Sequence, residues 1–420
     1  MSKLLNLQTI CECNGLKARL ASAGLDASAV EKKVELFISC ARSLRHLGLD
    51  GETPAKAFFI PGRIEVLGKH TDYAGGRSII AAVDRGFCIV ASRRNDATIR
   101  IFNVSDNDKI NFPFAEYIQP PMGHWSNYPM TVAKRLVKNF PGRLRGADIA
   151  FLSDLPIAGG MSSSSAMIVG FFLVLSSINN ISSRKEYSSN IDTPEDLASY
   201  LGTIENGQNF GTLTGDKGVG TLGSSEDHTA MLCCQPDFLS QYSYCPVKFE
   251  RLLKFPSKYL FAVASSGVIA EKTGAAMAKF NRASGLCSCA IEIWNKATRR
   301  EDKHLADAIK SDANAAERFR KILQGSNDRR FTSTELVNRF EQFLFESEEV
   351  VPVAGDALNK GDLARFGREV DRSQQLAETL LGNQVPQTVF LANCARQIGA
   401  AAASSFGAGF GGSVWAMIEA

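Results

Sequence analysis

Leu-Pro-Ile-Ala-Gly-Gly-Met-Ser-Ser-Ser-Ser-Ala occupies residues 155–166 and joins two apolar segments of different lengths. The run before it, at 149–152, has the length of a strand, and the run after it, at 167–175, is long enough for a helix. Gly159 and Gly160 allow backbone N–H groups to approach a ligand closely, and the N-terminus of a helix attracts anions. The stretch therefore predicts a strand, an anion-binding loop and a helix in succession.

The serines at 162–165 extend this prediction, because their hydroxyls can cap the helix, bind phosphate oxygens or ligate a magnesium ion. The common phosphate loop has a Lys-Ser or Lys-Thr pair after its last glycine, and no such pair occurs here. Taken alone, the stretch fits either a different phosphate loop or a glycine-rich helix entry that binds nothing.

Length and composition bound the class of protein. The 420 residues suit two domains, and 45% hydrophobic with 22% charged residues is ordinary for a globular chain. The net charge of +3 without a long basic run indicates neither a nucleic-acid nor a membrane partner. No apolar segment approaches the length of about 18 residues that spans a bilayer, and residues 1–8 do not resemble a signal peptide. We expect a soluble, cytoplasmic protein.

The ten cysteines do not indicate a metal site. Cys11 with Cys13, and Cys287 with Cys289, form close pairs, but neither pair has Cys or His partners at zinc-site spacing. We expect reduced thiols in a reducing compartment.

Helices and strands alternate irregularly along the chain, which predicts an α+β fold without regular βαβ repeats. Two strands are expected within 57–68, meeting at the turn Pro61-Gly62, and two more on either side of residues 84–86. The remaining strands are predicted at 98–104, 109–112, 149–152, 259–264 and 413–418. Helices are predicted at 27–47, 125–140, 167–175, 194–206, 272–283, 290–298, 336–350 and 356–381. Thr193, directly before Pro194, is the candidate N-cap of the helix at 194–206.

Three further segments are candidates for a binding site. Residues 69–73 place several hydrogen-bonding side chains between apolar strands, which suits a polyhydroxylated ligand or a solvated turn. Ser-Ser-Glu-Asp at 224–227 precedes an apolar run and is typical of a helix start. The glycine-dense segment 407–412 permits close backbone approach to a ligand, or forms a plain turn.

Together the motifs at 61–73, 155–164 and 407–412 resemble those of the GHMP kinases, in the family's order and spacing. The first is similar to the galactokinase form of the motif, as is Trp-Ser-Asn-Tyr at 125–128. The resemblance implies a two-domain fold, with an N-terminal ribosomal-S5-like domain at 1–240, a C-terminal ferredoxin-like domain at 241–420 and the active site in the cleft between them. It also implies ATP and Mg²⁺ as cofactors, a monosaccharide substrate, and a monomer or homodimer.

The resemblance assigns roles to matching positions of this chain. Arg63 and Asp227 match catalytic residues. The sugar-binding positions are Lys69, His70, Asp72 and Tyr73. The ATP phosphate loop comprises Pro156, Gly159, Gly160, Ser162, Ser163 and Ser164, and the magnesium-binding positions are Ser164 and Glu205. The C-terminal glycine motif comprises Gly407, Gly409, Gly411 and Gly412. The implied reaction transfers the γ-phosphate of ATP to the anomeric C1 hydroxyl of galactose or a related monosaccharide.

Departures from the galactokinase motif leave alternatives open. Glu65 stands where that family has Asn, and Lys69 stands where it has Glu. Because an ammonium donates hydrogen bonds and favours anions, Lys69 raises the alternative of a galacturonate or glucuronate 1-kinase, unless it points outward or pairs with Glu65. The family usually has Asp-Gln where this chain has Glu226-Asp227-His228, so either carboxylate is a candidate base. A sugar and ATP sensor without catalysis is the remaining alternative.

Overall fold

The computed structural model describes residues 5–13, 15–156, 159–269 and 277–420. They form two compact units, each assembled from separate segments of the chain. Unit 1 comprises Met1–Arg63, Ala82–Ile157 and Ser162–Gly220, and unit 2 comprises Ile64–Ala81, Ala158–Met161 and Thr221–Ala420. The family division at residue 240 stays a prediction. Residues 157–158 of the glycine-serine stretch and 272–276 of a predicted helix lie outside the described residues.

Unit 1 is built around a mixed sheet with strand order β1-β2-β3-β6-β4-β5, in which β4 and β6 are parallel. The long strands β2 and β3 contribute residues to both units. The strands are β1 (Leu5–Asn6), β2 (Pro54–Leu67), β3 (Arg77–Arg93), β4 (Thr98–Asn103), β5 (Asp108–Pro113) and β6 (Ala147–Ser153). The helices are α1 (Leu7–Cys11), α2 (Leu16–Ser22), α3 (Ala27–His46), α4 (Asn127–Asn139), α5 (Ser163–Asn179), α6 (Lys185–Ser188) and α7 (Pro194–Asn206).

Helices cover both faces of this sheet, because successive strand residues point to opposite sides. Cys88 and Val90 of β3 belong to one core cluster with α1, α2 and α3, which gives these three helices a structural role. Ile89, between them, meets α5: a Cβ added at Gly170 would lie 2.5 Å from the Ile89 side chain. Gly170 therefore lets α5 lie close against the sheet, which positions the N-terminus of that helix.

The two predicted strand pairs at 57–68 and 79–91 are wrong in one respect, since each pair is a single continuous strand. β2 continues through Pro61 and Gly62 without a turn. Both residue types favour turns, but both can also adopt extended backbone, so pairing with a neighbouring strand overrides that preference. β3 continues past the exposed Asp84, and a Cβ at Gly86 would lie 2.0 Å from the Ile60 carbonyl oxygen. Close pairing of the two strands thus replaces the turns.

The predicted cap at Thr193 is confirmed. Its hydroxyl accepts a hydrogen bond from the Asp196 backbone N–H at 3.1 Å, and the Asp196 carboxylate accepts one from the Thr193 N–H at 3.0 Å. This reciprocal pair satisfies two N–H groups that the helix itself leaves unpaired. It fixes the start of α7, the helix that carries Glu205 in its last turn.

Thr193→Ala is expected to lower the free energy of unfolding by about 1 kcal/mol, since the capping acceptor is lost. Equilibrium unfolding in urea measures the change. Thr193→Ser is the matched control, because it keeps the hydroxyl and is expected to remain near wild type. Equal losses in both variants would show that the cap is not the cause.

Unit 2 contains the remaining elements. Its three-stranded sheet has the order β10-β11-β9, and β7 pairs with β8 and with the unit 2 residues of β3. The strands are β7 (Phe238–Ser243), β8 (Lys248–Lys254), β9 (Tyr259–Ser265), β10 (Ala402–Ser405) and β11 (Ser413–Glu419). The helices are α8 (Glu226–Cys233), α9 (Met277–Thr298), α10 (Leu305–Ile309), α11 (Ala315–Gln324), α12 (Ser333–Phe345), α13 (Val351–Asn359), α14 (Leu363–Leu376) and α15 (Pro386–Gln397).

An aromatic core joins the helices α9, α11 and α12. The Trp294 and Phe319 rings stack with centroids 4.7 Å apart, and the centroids of Phe319 and Phe340 lie 4.6 Å apart.

Within the described residues, the two helices predicted at 272–283 and 290–298 are one helix, α9. The helix predicted at 356–381 is instead broken near Gly361, whose φ of +70° ends α13. α12 is extended by a π-helical turn, Glu346–Val350. Among the helices that the structure describes, none combines the length and apolar character needed to span a membrane.

Candidate functional site

The serine loop of unit 1 leads into a short chain of hydrogen bonds. Ser162 precedes α5 with φ of +56° and its side chain does not cap the helix. Its hydroxyl donates instead to Ser165 Oγ at 2.9 Å, and Ser165 Oγ donates to Glu205 Oε2 at 3.0 Å. The three side chains are buried. Ser164 is also buried, whereas Ser163 and Pro156 are exposed.

Glu205 is held by its backbone as well as its side chain. Val219 N–H donates to the Glu205 carbonyl at 2.9 Å, and the fully buried Arg135 donates to the Thr203 carbonyl at 2.9 Å. Arg135 also pairs with Asp216 at 3.3 Å. These contacts tie the glycine-rich segment after α7 to the end of that helix and so fix where the carboxylate lies.

The oxygen donors around Glu205 suit magnesium. Mg²⁺ prefers hard oxygen ligands and is commonly held by one or two carboxylates together with substrate phosphates. Glu205 and the neighbouring serine hydroxyls are such donors. Across the described ranges there is no group of three or more His, Cys, Asp or Glu side chains that could hold a metal by itself. The residues present therefore fit a magnesium ion that also needs phosphate oxygens.

Loop 68–73 of unit 2 is organised around His70. This residue has φ of +58°, a left-handed conformation that is strained for any residue with a Cβ. Its Nε2 lies 3.3 Å from the Ala408 carbonyl oxygen, which can only accept, and its Nδ1 lies 2.8 Å from the Tyr73 hydroxyl. In a neutral ring, Nε2 then carries the proton and Tyr73 donates to Nδ1. Burial raises the pKa of Tyr73 above its ordinary value, so the hydroxyl stays protonated.

The C-terminal glycine motif meets this loop and the glycine pair within unit 2. A Cβ added at Gly407 would lie 2.0 Å from the Glu65 carboxylate, so no larger residue fits there. A Cβ at Gly160 would lie 3.0 Å from the Phe406 ring. Gly409, Gly411 and Gly412 all have positive φ. Within unit 2, the C-terminal glycine motif therefore contacts Glu65 and His70, and the preceding residue Phe406 contacts Gly160.

Lys69 does not point outward, because its side chain is 1% exposed. Its ammonium donates to Ser373 Oγ at 3.0 Å, and Ser373 Oγ donates to Glu346 Oε1 at 2.8 Å. Burial lowers the pKa of Lys69 below its ordinary value, and the surrounding carboxylates, chiefly Glu346, oppose that change. Like Glu346, the carboxylates of Glu65 and Glu226 raise the pKa of Lys69 and so favour its charged form.

The candidate bases occupy the first turn of α8. Glu226 is buried and contributes to the field at Lys69, whereas Asp227 is partly exposed. Asp72 is also partly exposed, at the start of a 3₁₀ turn. Arg63 is buried at the end of the unit 1 portion of β2. Of the two carboxylates, Asp227 is the more accessible to a ligand.

Sequence reasoning missed several polar residues that contact these motifs. Ser165, which no motif assigned to the site, donates a hydrogen bond to Glu205. Glu346 accepts a hydrogen bond from the Gly68 N–H at 2.8 Å although it lies 278 residues later in the chain. For Ser165 the available signal was a polar residue at the start of the largely apolar helix α5, since a buried polar group needs a partner. No local pattern indicated the contact of Glu346.

Comparison with known proteins follows the same three segments. A sequence model of the galactokinase galactose-binding signature matches residues 49–93. A model described as the GHMP kinases N terminal domain matches residues 127–215, and one described as GHMP kinases C terminal matches residues 356–420.

Whole-chain relatives carry the name galactokinase. The chain is 27% identical to a galactokinase of Chloroflexus aggregans, over 88% of this chain and 85% of that protein. It is 26% identical to one of Enterococcus faecalis, over 89% and 88%. The structure of Lactococcus lactis galactokinase complexed with galactose matches with a TM-score of 0.73 and 20% identity, over 90% of this chain and 89% of that chain. The structural likeness confirms the predicted α+β fold.

Proposed function

This chain belongs to the GHMP kinase family, and we propose that it is a galactokinase-like sugar kinase that transfers the γ-phosphate of ATP to the anomeric hydroxyl of galactose. The observation that carries the proposal is the meeting, in unit 2, of loop 68–73 with the C-terminal glycine motif through His70 and Ala408. Loop 68–73 lies within the segment similar to the galactose-binding signature and offers His70, Asp72 and Tyr73 to sugar hydroxyls.

The proposed chemistry is phosphoryl transfer by positioning and charge stabilisation. Asp227 accepts the proton of the anomeric hydroxyl as that oxygen bonds to the γ-phosphorus. The bond from the γ-phosphorus to the β–γ bridging oxygen breaks, and ADP leaves with that electron pair. Arg63 would stabilise the developing negative charge. The products are ADP and a sugar 1-phosphate.

The phosphate loop and Glu205 complete the proposal for ATP. Gly159, Gly160 and the serines at 162–164 would present backbone N–H groups and hydroxyls to the phosphates at the start of α5. Glu205, oriented by Ser165, would hold the magnesium ion. When bound, that ion would neutralise phosphate charge as it builds on the leaving group.

The two alternatives have less support. A uronate kinase would use the Lys69 ammonium to bind a substrate carboxylate, but this ammonium is buried and already bonded to Ser373. A sensor without catalysis would not need the three motifs at 61–73, 155–164 and 407–412 that resemble those of enzymes, and the relatives are named galactokinase.

Phosphorus NMR with Mg-ATP and single sugars tests the proposal. We expect a sugar 1-phosphate and ADP with galactose, and far slower turnover with glucose, arabinose, N-acetylgalactosamine, galacturonate or glucuronate. Product from a uronate alone, with a preference that reverses in Lys69→Glu, would contradict the galactose assignment. Binding of galactose and ATP without any product would contradict the assignment as an enzyme.

A further inference from the structure

One face of α12 and its π-helical extension carries three buried polar side chains. Arg339, Gln342 and Glu346 are separated by three and four positions, which places them on the same side of a helix. They are at most 2% exposed. We call them the α12 triad. Their neighbours Phe340 and Phe343 are also buried, so this helix is set firmly in the core of unit 2.

Each member of the α12 triad bonds the backbone of loop 68–73. Glu346 Oε1 accepts from the Gly68 N–H at 2.8 Å and from the Lys69 N–H at 3.3 Å. Gln342 Nε2 donates to the Lys69 carbonyl at 3.0 Å. Arg339 donates to the His70 carbonyl and, at 3.2 Å, to the Tyr73 hydroxyl. Three consecutive residues of the loop are therefore held by one helix face.

Lys69 adds a buried positive charge to this arrangement. Its ammonium reaches Glu346 through the Ser373 hydroxyl, which accepts from Lys69 and donates to Glu346. A buried charge is tolerated when it is paired and hydrogen-bonded. The loop is thus bound to the triad through its backbone and also through the side chain of Lys69, a position that departs from the galactokinase motif.

We propose that Arg339, Gln342 and Glu346, with Lys69, are positioning residues that hold loop 68–73 in the conformation that binds the sugar. The left-handed His70 is the reason that such support is needed. Its backbone would relax toward a commoner conformation without the bond from Arg339, and its ring would then leave Ala408. The identity of the sugar in this inference rests on the proposed function. The contacts between the triad and the loop are independent of that function.

Hydrogen exchange measured by mass spectrometry tests the contacts independently of activity. In Glu346→Ala the amides of Gly68 and Lys69 lose their acceptor, and we expect them to exchange about tenfold or more faster. Gln342→Leu is the second variant, because it loosens the loop without removing a charge. Glu341→Gln is the matched control: it lies on the same helix, pairs with Arg320 rather than with the loop, and should exchange like wild type.

Steady-state kinetics separate positioning from general damage. Glu346→Ala loses the hydrogen bonds of a charged carboxylate to the loop, and Gln342→Leu loses the bond that Gln342 Oε1 accepts from the Arg339 guanidinium. Both variants are expected to raise KM for galactose about 10- to 100-fold, with KM for ATP nearly unchanged. Unchanged exchange at residues 68–69 in both variants would overturn the inference. So would equal rises in both KM values with a matching loss of stability. If wild-type protein does not phosphorylate galactose, the proposed function fails and the exchange result still decides this inference.

A compensating pair tests the role of Lys69. Glu346→Gln leaves the Lys69 ammonium buried without the carboxylate that most favours its charged form, and should lower the melting temperature. The double variant Lys69→Met/Glu346→Gln removes both charges and should melt at a higher temperature than Glu346→Gln alone. A double variant that melts no higher than Glu346→Gln would show that the two groups are not coupled.

Discussion

Asp227→Asn is expected to lower the turnover number about 100- to 10,000-fold, the usual contribution of a general base, while ATP binds almost as in wild type. An amide has nearly the shape of the carboxylate but cannot accept the proton of the attacking hydroxyl. The partial exposure of Asp227, in contrast to buried Glu226, is why the base is assigned to this residue. Single-turnover phosphoryl transfer and equilibrium ATP binding measure the two quantities.

Glu226→Gln is the necessary comparison, because the two carboxylates are adjacent. We expect it to keep most of the phosphoryl transfer rate and to lower stability, since Glu226 is buried and contributes to the field that favours the Lys69 ammonium. Melting temperatures recorded with the kinetics separate unfolding from lost chemistry. Near-normal turnover in Asp227→Asn together with an inactive, folded Glu226→Gln would show that Glu226, and not Asp227, is the general base.

Glu205→Gln is expected to raise the Mg²⁺ concentration needed for half-maximal activity by about 100-fold or more. Loss of a group that only orients a metal ligand typically lowers the affinity for the metal about 10- to 100-fold. Loss of the Glu205 carboxylate itself should lower the affinity for Mg²⁺ at least as much. Ser165→Ala, which removes the 3.0 Å bond to Glu205 Oε2, should fall within that smaller range.

Magnesium titrations at fixed ATP measure this effect, and Mn²⁺ binding followed by electron paramagnetic resonance with a non-hydrolysable ATP analogue gives a readout that does not depend on turnover. Glu195→Gln, near the start of the same helix, is the control and should titrate like wild type. Wild-type magnesium curves for both Glu205→Gln and Ser165→Ala would remove Glu205 from the metal site.

Features that depend on neighbouring residues were predictable from the sequence. The cap at Thr193, the helix α3 and the hairpin of β4 and β5 each arise from hydrogen bonds or apolar spacing within a few positions, and the structure has them where the patterns placed them. The family resemblance rests on the same local kind of signal, namely short motifs in a set order. The sequence by itself therefore determined the fold class, the family and the segments from which a site would be built.

Only the tertiary structure decided the features that depend on distant partners. Residues around Pro61-Gly62 and Gly86 have turn preferences, yet pairing between β2 and β3 makes each strand continuous. The surroundings of Lys69 depend on Ser373 and Glu346, which lie about 300 residues further along. No local pattern specifies such contacts, because hydrogen bonds and charge pairs form between groups that folding brings within about 3 Å, whatever their separation in the chain.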